Sequence, residues 1–198
     1  MPHPAPLTER LEHLRVLEEA AYRRVDPSWR IDLRPPVGQA DLDGIQSQLN
    51  RRFSKDVIDL YRWHDGSDGG TWFVPLIHFN SAYMAKQTYD AVARFGALKV
   101  TNDSETIELI DLFPIFQHER ILFSVRLART DTPDTSPLFV IDFERGYLIQ
   151  EARTLRDYIE HLIELFEGGH YEVEGRELTW TAAPYQMEPE MEPYGPRP

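Results

Sequence analysis

Between two tryptophans the chain reads Trp63-His64-Asp65-Gly66-Ser67-Asp68-Gly69-Gly70-Thr71-Trp72, a grouping open to three kinds of chemistry. Its glycines could cradle a phosphate. A phosphate cradle, however, runs from a strand through glycines into a helix N-terminus. Here a helical pattern precedes the glycines and an apolar strand pattern follows, so a turn is the reading favoured. Asp65, Ser67 and Asp68 could begin a calcium loop. Such a loop needs a bidentate Glu at its twelfth position, and counting from Asp65 puts Leu76 there. The tryptophans could form a stacking platform for bases or sugars. Core packing accounts more simply for Trp63, whereas Trp72 opens a strand beside an exposed turn and is an interface candidate.

Paired carboxylates are the other source of chemistry. Asp65/Asp68, Glu105/Glu108 and Asp142/Glu144 are close in sequence, and on a strand Asp142 and Glu144 would share a face, a geometry that raises one pKa. In a chain with 33 acids, solvated faces explain such pairs more often than catalysis does. No two of the seven histidines stand at the i, i+4 spacing of a helical zinc site. With no cysteine, thiol nucleophiles, disulfides and Cys-ligated metals are all excluded. No nucleophile elbow, phosphate loop or dinucleotide fingerprint is present. No cofactor or metal is expected.

The formal charge is −12. An acidic chain lacks the basic footprint of a nucleic-acid binder and is repelled by anionic membrane surfaces. It suits a basic protein partner. No apolar run reaches membrane-spanning length, and the opening residues have no signal-peptide pattern, so the expected setting is the cytoplasm.

The elements that would position these residues can be read from spacing. Leu7, Leu11, Leu14, Leu17 and Ala21 line one face of a helix of about five turns, with Thr8 as its cap and Asp26-Pro27 as its stop. Helices follow at 40–51 and 54–64. In the second, Ser54 is the cap and Val57, Leu60, Tyr61 and His64 form the apolar face. Trp72–Leu76 reads as a strand, 80–95 as a helix and 96–106 as loop. Ile107–Phe116 is apolar around Pro114, and Ile121–Val125 is a strand. Thr130–Pro137 is a polar loop. Leu138–Phe143 and Tyr147–Ile149 form a hairpin. A helix at 153–167 is stopped by Gly168-Gly169, and Tyr171, Val173 and Leu178 add an extended segment. Strands joined by turns, not by alternating helices, imply an α+β fold with N-terminal helices, a mainly antiparallel sheet of short strands and a closing helix. The chain divides into an N-terminal helix and linker (1–34), a domain (35–169), an extension (170–183) and a tail (184–198) whose prolines and glutamates predict disorder.

Within the domain, Pro35-Pro36-Val37-Gly38, the helix at 40–49 and Phe53-Ser54-Lys55-Asp56-Val57-Ile58-Asp59-Leu60-Tyr61-Arg62-Trp63-His64-Asp65-Gly66 resemble the opening of the SUKH superfamily. Leu112-Phe113-Pro114-Ile115 is similar to its central Leu-Phe-Pro element. Leu138–Phe143 followed by Thr154-Leu155-Arg156-Asp157-Tyr158-Ile159 is similar to its last strands and closing helix. Ser54 stands where the family usually has Pro, and Asp65 where it has Asn. The resemblance spans roughly residues 33–168.

It implies a non-enzymatic α+β binding domain. The expected role is that of a bacterial immunity protein that neutralises a cognate toxin by direct contact, the toxin being a basic nuclease or deaminase. A regulatory scaffold binding several partners, as in the fungal cell-wall regulators, is the alternative, and a carboxylate hydrolase a distant third. Asp65, Asp68, Trp72, Asp131 and Asp134 are the expected partner-binding residues, because they fall in turns and loops beside strands.

Overall fold

A computed structural model describes residues 5–68, 77–100, 105–174 and 177–182. The chain begins with three helices, α1 (Leu7–Tyr22), α2 (Gln39–Leu49) and α3 (Lys55–Trp63). A two-residue strand, β1 (His78–Phe79), leads into α4 (Ala82–Val92) and a 3-10 turn at Ala93–Phe95. A small hairpin follows, β2 (Ala97–Lys99) and β3 (Thr106–Glu108), then a 3-10 turn at Leu109–Asp111. The main strands are β4 (Leu112–His118), β5 (Ile121–Arg126), β6 (Leu138–Asp142) and β7 (Tyr147–Ala152). Helix α5 (Leu155–Glu167) and the hairpin β8 (Tyr171–Glu174) and β9 (Glu177–Trp180) end the described chain. The fold is α+β, and its main sheet has the order β1-β4-β5-β6-β7 with every pairing antiparallel.

Both faces of this sheet are covered. Leu138 and Val140 of β6 point into one core with Phe113, Phe123 and the helices α1, α3 and α5. Their neighbours Phe139 and Ile141 point into a second core with Val92, Val100, Ile107 and Leu148. A strand buried on both faces needs a continuous apolar run, and Leu138–Ile141 supply it; Asp142, also buried, ends the strand. Pro114 sits inside β4 at a register shift between Pro114 and Phe116, where a residue without an N–H is tolerated. Asn80 spans the irregularity, donating its backbone N–H to Ile115 O at 3.0 Å and its side-chain amide to Pro114 O at 3.2 Å.

Helix α1 is part of the same core. Leu7, Leu11 and Leu14 are fully buried, packed with α5 and α3. The apolar stripe is therefore covered by the domain itself. Arg10 pairs with Glu160 of α5 at 2.8 Å, His13 Nε2 meets Glu167 at 2.8 Å, and Arg156 donates to Ala5 O at 2.7 Å. The linker folds back through a Tyr22–Trp29 stack at 4.4 Å, and Glu19 accepts the Ile31 N–H at 3.1 Å.

Some expectations shift. The residue before α1 is Pro6, not Thr8, because Thr8 already lies in the first turn. The helix ends at Tyr22, before Asp26-Pro27. Residues 96–106, read as loop, contain β2 and the start of β3. These strands are three residues long, too short to show a period. The strand expected at 72–76 and the tail at 184–198 lie outside the described residues.

If α1 belongs to the core, Leu11→Ala leaves a cavity between α1 and α5. Its expected cost is about 2–5 kcal/mol, read by urea or thermal unfolding of the whole chain in one transition. A cost below about 0.5 kcal/mol, the surface-substitution range, would refute the docking of α1.

Candidate functional site

Helix α3 gives up its last turn at His64, whose backbone is extended and whose Nδ1 lies 2.7 Å from Arg34 O. The chain then turns through Asp65–Asp68, gripped from two sides. Arg34 donates its N–H to Gly66 O at 3.0 Å, and Asp68 donates to Asp32 O at 2.8 Å. On the other side Ser67 donates to Phe79 O at 2.9 Å. Gly66 has φ +84, and a Cβ there would sit 2.5 Å from Ser81 N and 2.8 Å from Phe79 O. Only glycine fits, for backbone conformation and for space.

The grip delivers Asp65 to the start of α4. Its carboxylate accepts the Ala82 N–H at 2.7 Å, while Ser81 Oγ accepts from Met84 N at 3.2 Å. Two of the orphan amides of α4 are thus satisfied. Asp65, expected as a partner contact, is engaged within the chain. Its carboxylate faces the helix end, and burial pushes its pKa up despite that hydrogen bond. Asp68 does lie on the surface, 2.7 Å from a less exposed Arg34.

The capped turn presents two side chains that the sequence reading passed over. Tyr83 is 66% exposed and Met84 48%. Gln87 donates to the Tyr83 hydroxyl at 3.0 Å, holding the ring along the helix. Their signal was available: Ala82, Ala85, Tyr89 and Val92 form the buried stripe of α4, and Tyr83 and Met84 fall off it. The result is a rigid apolar spot beside an acidic turn, with Asp41 within electrostatic reach of Asp65.

Of the other expected residues, Asp131 and Asp134 lie elsewhere. Trp72 lies outside the described residues. Asp131 is exposed, and Asp134 pairs with Lys55 at 2.5 Å. Both belong to the loop at the opposite end of α3, where Pro133 O and Asp134 O accept the N–H groups of Lys55 and Asp56 at 2.9 and 3.3 Å. The length of α3, nine residues, separates the two groups by about 13 Å. Asp65 and Asp68 thus stand at one end of α3 and Asp131 and Asp134 at the other.

In the other carboxylate pairs the partners seen are backbone amides and arginines. The buried Asp142 carboxylate accepts the N–H groups of Glu144 and Arg145 at 2.8 and 2.9 Å, which makes it the staple of the β6–β7 turn. Glu144 is outside the strand and exposed. Glu105 pairs with Arg126 at 2.8 Å and Glu108 with Arg129 at 3.7 Å. Among the described residues no group of three His, Cys, Asp or Glu could hold a metal. No helix of the described residues is long and apolar enough to cross a membrane.

One buried carboxylate has a measurable consequence. Asp56 is 4% exposed, its Oδ2 has no hydrogen-bond partner, and Arg156 is 3.7 Å from its Oδ1. Burial outweighs that arginine and raises its pKa above the ordinary 3.8. The folded state then holds the proton to higher pH than the unfolded chain does. Stability falls as pH rises from 3.8 through the raised folded value. Asp56→Asn is insensitive to that change. Urea unfolding of both proteins is expected to favour the variant more at pH ~7 than at pH ~4, and a pH-independent difference would refute it.

Compared with known proteins, the chain matches no protein-family model and no curated protein.

Proposed function

We propose that this chain is a non-enzymatic binding domain of the SUKH type, acting in the cytoplasm as an immunity protein that occludes a basic toxin. The observation that carries the reading is the pairing of Tyr83 and Met84, large and exposed, with the rigid acidic turn that caps their helix. An aromatic anchor and a methionine supply desolvated contact area that adapts to a partner's shape. Asp68 in that turn, Asp32 hydrogen-bonded to it and Asp41 within electrostatic reach of Asp65 are exposed, and with a net charge of −12 they steer a cationic partner toward the spot. The order of motifs from Pro35 to Ile159 supplies the family reading. Blocking by contact needs no catalytic group, consistent with carboxylates engaged by backbone amides and arginines.

The test is capture of the tagged chain from cells that express it, followed by assay of what it holds. One stoichiometric basic protein is expected, with a nuclease or deaminase activity that an equimolar amount of the chain abolishes. On that complex, Asp68→Lys is expected to slow association about tenfold or more at low salt, with the difference shrinking as salt rises. Its melting temperature should barely move, since an exposed ion pair contributes little. Tyr83→Ser with Met84→Ser should weaken the complex at least tenfold, mainly through dissociation. Toxin activity undiminished by the chain, or association unchanged at low salt in Asp68→Lys, would overturn the proposal.

A further inference from the structure

The end of α4 remote from Asp65 carries a second exposed apolar feature. Phe95 closes the 3-10 turn after α4 and is 73% exposed, and Phe143 opens the β6–β7 turn and is 37% exposed. Their ring centroids lie 6.0 Å apart. Phenylalanine is among the residues most often buried, and two packed together in solvent form a patch. Asp142 holds the Phe143 turn through the N–H groups of Glu144 and Arg145. Gly96, just past Phe95, accepts from Leu109 N at 2.9 Å. Both rings are thus held in place before anything covers them, which lowers the entropy cost of contact.

The charge beside the rings narrows the choice of occupant. Arg94 precedes Phe95, Arg145 follows close on Phe143, and a bridge between Val100 and Leu148 brings Lys99 toward the β6–β7 turn. All three cations are exposed. The carboxylates on the flanking elements are mostly engaged. Asp142 is buried and lies 3.8 Å from Arg145. Glu108 meets Arg129 at 3.7 Å, and Asp90 meets Lys86 at 2.6 Å. With those pairs set against each other, Arg94 and Lys99 outweigh the exposed Glu144. The balance is positive in a chain of net charge −12. A second copy would set this excess against itself, whereas an acidic apolar segment complements it.

Such a segment follows the described chain. Between residues 183 and 198, Tyr185, Met187, Met191 and Tyr194 are interleaved with Glu188, Glu190 and Glu192, against a single Arg197. The topology starts it at the matching end of the sheet. His118 pairs with Ile121 and Ile121 with Asp142, so the β4–β5 and β6–β7 turns share one end. Helix α5 begins at the other end, where Leu155 donates to Ser136 O at 3.0 Å. It runs toward the turns past Phe123, whose ring lies 6.0 Å from that of Tyr158. Just beyond α5, Thr181 donates to His170 O at 3.1 Å, and Ala182 packs against the first core. From Ala182 to Tyr194 an extended chain reaches up to about 40 Å, well beyond the about 10 Å between packed layers. The other exposed spot, Tyr83 and Met84, stands at the acidic turn of 65–68, which repels such a segment.

We propose that segment 185–194 docks on the Phe95–Phe143 face of its own chain, its tyrosines and methionines over the two rings and its glutamates toward Arg94, Lys99 and Arg145. Methionine and tyrosine both pack well on aromatic rings. This contact is independent of the immunity reading. The chain has no cysteine, so Met191→Cys creates a single attachment point for a nitroxide, whose broadening of amide NMR signals in the full chain reports what lies near it. In dilute solution the broadening is expected to concentrate on residues 94–99 and 143–146. Changing Glu188, Glu190 and Glu192 together to Gln should reduce it about threefold or more, and so should Phe95→Ser with Phe143→Ser. The glutamine variant alters no residue of the described fold, which keeps the test valid if the serine variant folds poorly. Broadening that is absent from both stretches, or indifferent to both variants, would overturn the proposal. Broadening centred on Tyr83 and Met84 would overturn it too. So would broadening seen only between a labelled chain and a separate isotope-enriched copy, since that would assign the contact to a second molecule.

Discussion

The constraint on which the rest of the structure depends is that the central sheet is buried on both faces. A sheet with one wet face needs a single covering layer. This one alternates Leu138 and Val140 into one core with Phe139 and Ile141 into another, so it needs two. Helices α1, α3 and α5, with Ala82, Ala85 and Tyr89 of α4, supply the first; the β2–β3 hairpin with Val92 at the end of α4 supplies the second. Loss of either layer would expose a row of large apolar side chains, each worth about 1.5–3 kcal/mol when buried. Helix α1 is held in place by this requirement, and the pairs Arg10–Glu160 and His13–Glu167 at its exposed edge fix register more than they add stability.

Much of this was legible in the sequence. The stripe Val57, Leu60 and Tyr61 behind Ser54 gave α3 and its cap, because period and cap agreed. The stripe Leu155, Tyr158, Ile159, Leu162 behind Thr154 gave α5 for the same reason. The hairpin β6–β7 followed from two apolar runs around Glu144-Arg145-Gly146. The strands β2 and β3 did not, since three residues carry no period and their pairing is fixed by docking on the second core. The candidate site was legible only in part. Spacing placed Asp65, Asp68, Asp131 and Asp134 in turns, but it could not say which way a carboxylate points. Asp65 points to Ala82 because Gly66 brings the turn against Ser81, a three-dimensional closeness that no local pattern encodes.

The same distinction applies to charge. Formal charge counts every acid alike, yet the folded protein separates them. Asp142 staples a turn, Asp65 caps a helix, Glu19 anchors the linker, and Asp111 is clasped by Arg51 at 2.9 Å and Arg129 at 3.1 Å. These carboxylates hold the fold together and face amides or guanidinium groups at fixed geometry. Those left on the surface, such as Asp32, Asp41 and Asp68, set the field that an approaching protein meets.

Helix α4 links the two outward-facing features. Its buried stripe of Ala82, Ala85, Tyr89 and Val92 fixes its rotation against β4, and Tyr89 locks it further by donating its hydroxyl to Ile110 O at 2.8 Å. With the rotation fixed, Tyr83 and Met84 must stand out at the first turn, and the chain leaving the last turn must carry Phe95 over the edge of the second core toward Phe143. The two spots lie at opposite ends of an eleven-residue helix, about 16 Å apart along its axis. Each rests on its own glycine-bearing turn, with Gly66 at one end and Gly96 and Gly146 at the other. The packing of Tyr89 against Phe113, at 6.3 Å between rings, resists rotation of α4 and so keeps Tyr83 and Met84 turned outward.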